Sequence, residues 1–326
     1  MITLLHRLAS LRLTLVGLVA LAAALVADQN GWLSGAWAIT PPLAGLSLNL
    51  AASLLVDRRF RRRPALFGFH LCLLMLAALA GYSLLARYEA RLPLVEGQAF
   101  DNDLVDPVHT GPIVPVAIRD GAFRQGSIEV DYSPKQRRGA TRSQVRVEGR
   151  GWVEVGDDVP LIIDGYRIYT TSNKGFAALL TWLPERGDAL LGAVQFPSYP
   201  ASELGQVAHW TTPRGQVLQL GLGLDPSVYA QSWTLSSAHA GNAFITLEVD
   251  GERQTLMPGD VAVLSGGRLR FERVGMWMGY EVTHDPALPW LFGLAVLAVA
   301  FLSVHFAGRV MKPVDAHALG GRENIA

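Results

Sequence analysis

Four long apolar runs constrain what this chain can fold into more than any other feature. They cover about residues 13–27, 37–56, 65–86 and 288–307, and a helix needs about 20 such residues to cross a bilayer. Only 17% of the residues are charged, whereas an ordinary soluble domain carries roughly 25%. The first run lacks a small-residue cleavage site, which favours an uncleaved helix over a signal peptide. The sequence therefore predicts four transmembrane helices.

The basic residues predict how these helices are oriented. Residues 28–36 contain no Lys or Arg, whereas residues 57–64 contain five arginines. By the positive-inside rule, both termini and the arginine-rich loop lie in the cytoplasm. Residues 87–285 then lie outside, in the periplasm if the membrane is a bacterial inner membrane. The five arginines, which could instead steer the carboxylates of a ligand, are Arg58, Arg59, Arg61, Arg62 and Arg63.

Residues 87–285 differ in character from the apolar runs. Turn dipeptides such as Asp250-Gly251 separate short alternating segments, a pattern typical of antiparallel hairpins. Residues 175–194, rich in Gly, Ala and Leu, are interpreted as a break in this pattern, either a short helix or an amphipathic surface segment. The predicted fold class is an α+β membrane protein with a β-rich periplasmic domain between the third and fourth helices. Its three parts are residues 1–86, 87–285 and 286–326.

His70 is the candidate functional residue, because it lies in the uncharged third run, five residues past its start. An ionisable group at membrane depth is costly and is a functional-site hypothesis by default. Imidazole is also the commonest metal ligand near neutral pH. The alternative is a structural histidine that is hydrogen-bonded to Asn49 or Ser47 of the second run. The single cysteine, Cys72, falls on a different helix face and is interpreted as a small packing residue.

Two further histidines are weaker candidates for a functional role. His305 lies near the cytoplasmic end of the last run, where an interfacial position is the favoured interpretation and a second ligand or a relay is the alternative. His284 precedes Asp285 at the outer junction and is expected to be solvated there. Trp277 and Trp290 are expected to belong to an interfacial aromatic belt. The chain has no CxxC, GxSxG, P-loop or HExxH motif, so no catalytic residue is predicted. Its net charge of zero gives no reason to expect a nucleic-acid partner.

Four segments, taken in order, resemble the ResB (CcsB) family of System II cytochrome c biogenesis proteins. They are residues 8–18 (LASLRLTLVGL), 67–81 (FGFHLCLLMLAALAG), 165–172 (GYRIYTTS) and 279–286 (GYEVTHDP). The arrangement of three N-terminal spans, a large outside domain and a last span is also similar to this family. The outside domain is shorter than in many members.

The resemblance implies a haem-handling role. Proteins of this family act with a ResC/CcsA-type membrane protein, and the pair moves haem outward and attaches it to apocytochrome c. The resemblance makes His70 an axial ligand of transported or transiently bound haem b, paired with a ligand on the partner. The chain would be a non-catalytic or co-catalytic subunit of a holocytochrome c synthase complex, in contact with membrane lipid. The alternative is a membrane-anchored scaffold for a respiratory complex that ligates no haem.

Overall fold

The computed structural model describes residues 2–33, 35–113, 115–224, 232–240 and 242–310. The helices are α1 Ile2–Leu8, α2 Leu11–Gln29, α3 Gly35–Val56, α4 Arg58–Arg61, α5 Pro64–Ala86 and α6 Leu288–Val310. The strands are β1 Tyr88–Val95, β2 Asp106–Thr110, β3 Phe123–Ser133, β4 Arg137–Val147, β5 Gly151–Gly156, β6 Leu161–Ile163, β7 Tyr166–Pro184, β8 Leu190–Ser198, β9 Val207–Thr211, β10 Val217–Gly223, β11 Trp233–Leu235, β12 Phe244–Val249, β13 Glu252–Leu256, β14 Val261–Leu264 and β15 Gly267–His284.

The described residues include four helices, α2, α3, α5 and α6, that are long and apolar enough to cross a membrane. Together with the sheets described below, they confirm the predicted α+β fold class of a multi-pass membrane protein. These helices are longer than the predicted apolar runs by one to four residues. The arginine-rich segment, expected to be a loop, contains the single helical turn α4.

The transmembrane helices pack in a row. Helix α2 packs on α3, α3 on α5, and α5 on α6, and no comparable contact between α2 and α6 closes the row among the described residues. Close approach is possible because glycine faces a large side chain at two of the contacts. A β-carbon at Gly17 would lie 2.7 Å from Leu46, and a β-carbon at Gly68 would lie 2.6 Å from Phe301.

Residues 88–110 and 115–284 form a second compact unit, which is built from antiparallel sheets. Its described strands form one seven-stranded sheet and two four-stranded sheets. The long strands β7 and β15 pair with each other at the centre of the large sheet, with β1 on the far side of β15 and β8 on the far side of β7. The smaller sheets have the orders β13-β12-β10-β9 and β11-β3-β4-β5.

The predicted hairpin at Asp250-Gly251 is confirmed. The two residues join β12 to β13 with φ angles of +51° and +87°. Positive φ at both central positions is the geometry of a type I′ turn, whose twist matches that of the flanking strands. Glycine meets this requirement without strain.

The interpretation of residues 175–194 was wrong, because this stretch lies in β7 and β8. Phe176, Ala177 and Ala178 are fully buried, since β7 is a central strand with both faces covered. Such a strand has a continuous apolar sequence and shows no alternation.

The placement of Trp277 was also wrong: it is only 5% exposed within the β unit, and its indole Nε1 donates to the Phe196 carbonyl oxygen at 3.0 Å.

Candidate functional site

The side of α5 that carries His70 is set by helical geometry. At about 100° per residue, Gly68 and Cys72 fall within about 40° of each other, and His70 falls on the opposite side. Gly68 and Cys72 are both buried, and Gly68 is where α5 meets Phe301 of α6. His70 therefore points away from α6. It is half-buried.

The imidazole of His70 has a defined hydrogen bond. Its Nδ1 lies 2.8 Å from the carbonyl oxygen of Leu66, one helical turn earlier. A carbonyl oxygen only accepts, so Nδ1 carries the proton. In the neutral imidazole with this tautomer, Nε2 presents its lone pair, which is the form of histidine that binds metals. A backbone carbonyl on Nδ1 is a common way of orienting a metal-ligating histidine.

Two aromatic rings hold the imidazole in place. The ring of Phe60, in α4, lies 4.8 Å from it at 61°, and the ring of Phe69 lies 5.2 Å away at 86°. Both are edge-on arrangements of the kind that aromatic pairs prefer. The short helix after the second span therefore helps to fix the side chain of His70.

The two alternative partners suggested for His70 are engaged elsewhere. Asn49 accepts from the Thr14 hydroxyl at 2.7 Å, and its amide donates to the carbonyl oxygens of Leu8 and Ser10. The Ser47 hydroxyl donates to the Leu43 carbonyl oxygen of its own helix at 2.8 Å. The hypothesis of a hydrogen bond from His70 to Asn49 or Ser47 is therefore wrong.

His305 is not brought to His70. It lies in α6, one turn beyond Phe301, and its ring contacts Phe306 at 5.6 Å. At about 100° per residue, His305 lies within about 40° of Phe301, on the side of α6 that faces α5 at Gly68. Because His70 points away from α6, the two imidazoles do not converge.

His284 belongs to the β unit, where it ends β15. Its Nδ1 lies 3.2 Å from the Gly165 carbonyl oxygen, and its ring lies 4.9 Å from that of Tyr166. Burial, with smaller effects from Tyr88 and Asp164, raises the pKa of Tyr166 to about 12. The Tyr166 hydroxyl donates to the Val116 carbonyl oxygen at 3.1 Å. His284 is thus part of an aromatic cluster, and not the freely solvated residue that the sequence suggested.

Within the part of the chain that the structure describes, no three His, Cys, Asp or Glu side chains are grouped so as to hold a metal ion. The Nε2 nitrogen of His70 could hold one axial position of a haem, which needs only one ligand from this chain. Arg62 and Arg63 are exposed at the start of α5.

Sequence reasoning found His70 but missed Leu66 and Phe60. The spacing of four residues to Leu66 was the available signal for the first, and nothing in the sequence pointed to the second.

Comparisons with known proteins add little. No family model matches the chain, and no curated protein sequence matches it. A similar solved structure is described as cytochrome c heme lyase CcmF, with 12% identity and a TM-score of 0.28. The alignment covers 90% of this chain and 34% of that protein, so the chain spans about a third of its length. A TM-score of this size does not establish a shared fold.

Proposed function

We propose that this protein takes part in cytochrome c maturation as a ResB-type subunit that binds haem cargo in the membrane through Nε2 of His70. The observation that carries the proposal is the hydrogen bond from Nδ1 of His70 to the Leu66 carbonyl oxygen. This bond supports the proposal because it places the proton on Nδ1, so that Nε2 of the neutral imidazole is the nitrogen available to iron. The four segments that resemble the ResB family supply the biological context.

The second axial ligand would come from a partner. Because His70 points away from α6, which carries His305, the other ligand is assigned to a ResC/CcsA-type membrane protein. The helices support such a partner, because only 0%, 11% and 6% of the apolar windows of α2, α5 and α6 are buried within the chain. Axial ligand identity and burial are the means by which a protein tunes haem iron.

The proposed orientation places His70 in the cytoplasmic half of the bilayer. It lies six residues after the start of α5, about 9 Å along the helix axis. Arg63 immediately precedes α5, at the end of the helix nearer to His70, and is exposed. A guanidinium at the membrane surface is suited to pairing with a haem propionate. Both termini would be cytoplasmic and the β unit periplasmic, in a bacterial inner membrane.

The chemistry at the cysteine thiols of apocytochrome c is assigned to the partner. The periplasmic β unit would dock the partner, the apocytochrome or both. This division makes the chain a non-catalytic or co-catalytic subunit of a holocytochrome c synthase complex.

Purification of the full chain from membranes, with and without a ResC/CcsA-type partner, tests the proposal. The visible spectrum of the wild type should show low-spin haem with two nitrogen ligands, in the presence of the partner above all. His70→Ala should lose most of this signal. His70→Gly should recover it when imidazole is added, because free imidazole can occupy the vacated position. His305→Ala is the matched control and should retain the wild-type spectrum.

Two results would contradict the proposal. Unchanged haem content in His70→Ala would mean that His70 only braces α4 against α5, and the scaffold function would be favoured. Loss of haem in His305→Ala but not in His70→Ala would move the ligand to the last helix.

A further inference from the structure

Three side chains stand side by side on the outer face of the sheet formed by β3, β4 and β5. Arg124 of β3 is paired in register with Arg146 of β4, and Arg146 is paired with Trp152 of β5. All three are exposed. We call them the Arg-Arg-Trp row. Arg124 and Arg146 are 22 positions apart in the sequence, and Arg146 and Trp152 are 6 apart, so only the strand register brings the three together.

The two arginines form an unusual pair. Like charges directly opposite each other in an antiparallel sheet are destabilising. Arg124 donates to the Gly97 carbonyl oxygen, whereas no carboxylate pairs with Arg146 among the residues that the structure describes. The neighbouring acids are already engaged: Glu148 pairs with Arg119, and Glu154 accepts from Gln144 at 2.9 Å. Among the described residues, neither arginine of the row is therefore paired with a carboxylate.

A hollow beside the arginines leaves space for one. It has a volume of about 340 Å³ and is lined by Arg124, Arg146, Val147, Glu148 and three glycines, Gly121, Gly149 and Gly151. A β-carbon built at any of these glycines would meet no atom within 4 Å. The guanidinium groups thus face open space that a small anionic group can enter.

Trp152 extends the row with a flat apolar surface. Its side chain is 62% exposed, which is high for so large an apolar residue. The ring reaches across to Gly126, where a β-carbon would lie 2.5 Å from its Cζ3 atom. Because Gly126 has no side chain, the Trp152 ring can lie against the sheet at this position. An exposed indole next to a pair of guanidinium groups can bind a planar ring and its acidic substituent together.

We infer that the Arg-Arg-Trp row is a binding site for a planar aromatic carboxylate. Arginine binds carboxylates with two parallel hydrogen bonds, and the indole supplies a stacking surface. The choice of a porphyrin dicarboxylate as the ligand rests on the proposed function. The geometry of the row itself does not depend on His70.

Metal-free protoporphyrin IX is the probe, because without iron it cannot be ligated by His70. The full-length protein is placed in nanodiscs of zwitterionic lipid, and porphyrin fluorescence and tryptophan quenching are titrated. The wild type should bind, and Arg146→Gln and Arg124→Gln should each raise the Kd by about tenfold. Arg137→Gln removes the same charge from the same strand and should bind as the wild type does. His70→Ala should also bind normally.

Protoporphyrin IX dimethyl ester separates carboxylate recognition from partitioning into the bilayer. The ester should bind no better to the protein than to empty nanodiscs. Trp152→Leu should weaken binding, and Trp152→Phe should restore part of it. The inference is overturned if the wild type does not bind the free acid, if the ester binds equally well, or if Arg146→Gln and Arg137→Gln behave alike. None of these results would bear on haem ligation by His70.

Discussion

Gly68 of α5 lies directly against the ring of Phe301 of α6. A β-carbon at Gly68 would come within 2.6 Å of a ring carbon, which is closer than two non-bonded carbon atoms can approach. Gly68 is buried, and the long helices α5 and α6 pack against each other in the row. The contact therefore fixes how closely these two helices approach, and with it the side of α5 on which His70 stands.

Gly68→Ala should destabilise the membrane unit by about 1–3 kcal/mol, the usual cost of overpacking a tight contact. The thermal unfolding midpoint in detergent measures the change. Phe301→Leu in the same chain should recover part of the loss, because the smaller side chain leaves room for the added methyl group. Gly293→Ala is the control, since a β-carbon at Gly293 meets no atom within 4 Å. Equal effects of the two glycine substitutions would refute the role of the contact.

Asn49 should contribute to the packing of α2 on α3. It is only 4% exposed, and it bonds to Thr14, Leu8 and Ser10. Hydrogen bonds between membrane helices contribute about 0.6–2 kcal/mol each. Asn49→Leu should lower the unfolding midpoint and expose the α2 segment to proteolysis. Ser47→Ala removes a bond within one helix and should have little effect, so similar losses in both variants would contradict this role.

Asp285 should anchor the start of α6. Its carboxylate accepts from the Ser83 hydroxyl at 2.7 Å and from the Ala287 backbone N–H at 2.9 Å. Asp285→Ala removes both bonds and should cost about 1–2 kcal/mol. Ser83→Ala removes one and should cost about half as much, while Asp285→Asn keeps an acceptor and should fall between. Chemical unfolding in detergent ranks the three variants, and a Ser83→Ala loss as large as that of Asp285→Ala would exclude the bond to Ala287.

Lys174 should make the stability of the β unit depend on pH. The side chain is 3% exposed, and its Nζ donates to the Ser172 carbonyl oxygen at 3.2 Å and lies 5.7 Å from the centroid of the Tyr132 ring. Burial, and then the positive charge of Arg138, lower the pKa of Lys174 from 10.5 to about 8, while Asp157 opposes this shift.

Between these two pKa values the unfolded chain binds more protons than the folded chain. The free energy of unfolding should therefore rise with pH from about 8 to about 10.5, by about 3 kcal/mol over the window. Lys174→Met should abolish this rise and should be the more stable form at pH 7. Unfolding midpoints of both proteins at pH 7.5 and 9.5 test this, and parallel pH profiles would show that Lys174 is not the cause.

The sequence predicted the membrane helices well, because length and apolarity alone decide whether a helix can cross a bilayer. It predicted the β-rich unit from turn dipeptides such as Asp250-Gly251, whose backbone demands are local. It failed at residues 175–194, because a strand buried on both faces and a buried helix have the same apolar composition over a short run. Trp277 was misplaced for a related reason, since nearness in sequence to a membrane helix does not decide where a side chain points.

Part of the candidate site could likewise be predicted from the sequence, and part could not. His70 could be predicted from the sequence, because an ionisable residue within a long apolar run is conspicuous. Its bond to Leu66 follows from helical spacing. The contact with Phe60 and the alignment of Arg124, Arg146 and Trp152 could not be predicted, because they depend on how separate elements meet. Pairing of three strands with one particular register is a long-range property of the fold.

The row of transmembrane helices has a consequence for how the protein responds to its lipid. A helix rises about 1.5 Å per residue, so α2, with 19 residues, is about 28 Å long and α5, with 23 residues, about 34 Å. In a hydrocarbon core about 30 Å thick, α2 is just long enough to cross, whereas α5 is long enough to cross with some tilt. A thicker or thinner bilayer would change the tilt of α5 and with it the depth of His70. Lipid composition would thereby adjust the height at which this histidine stands.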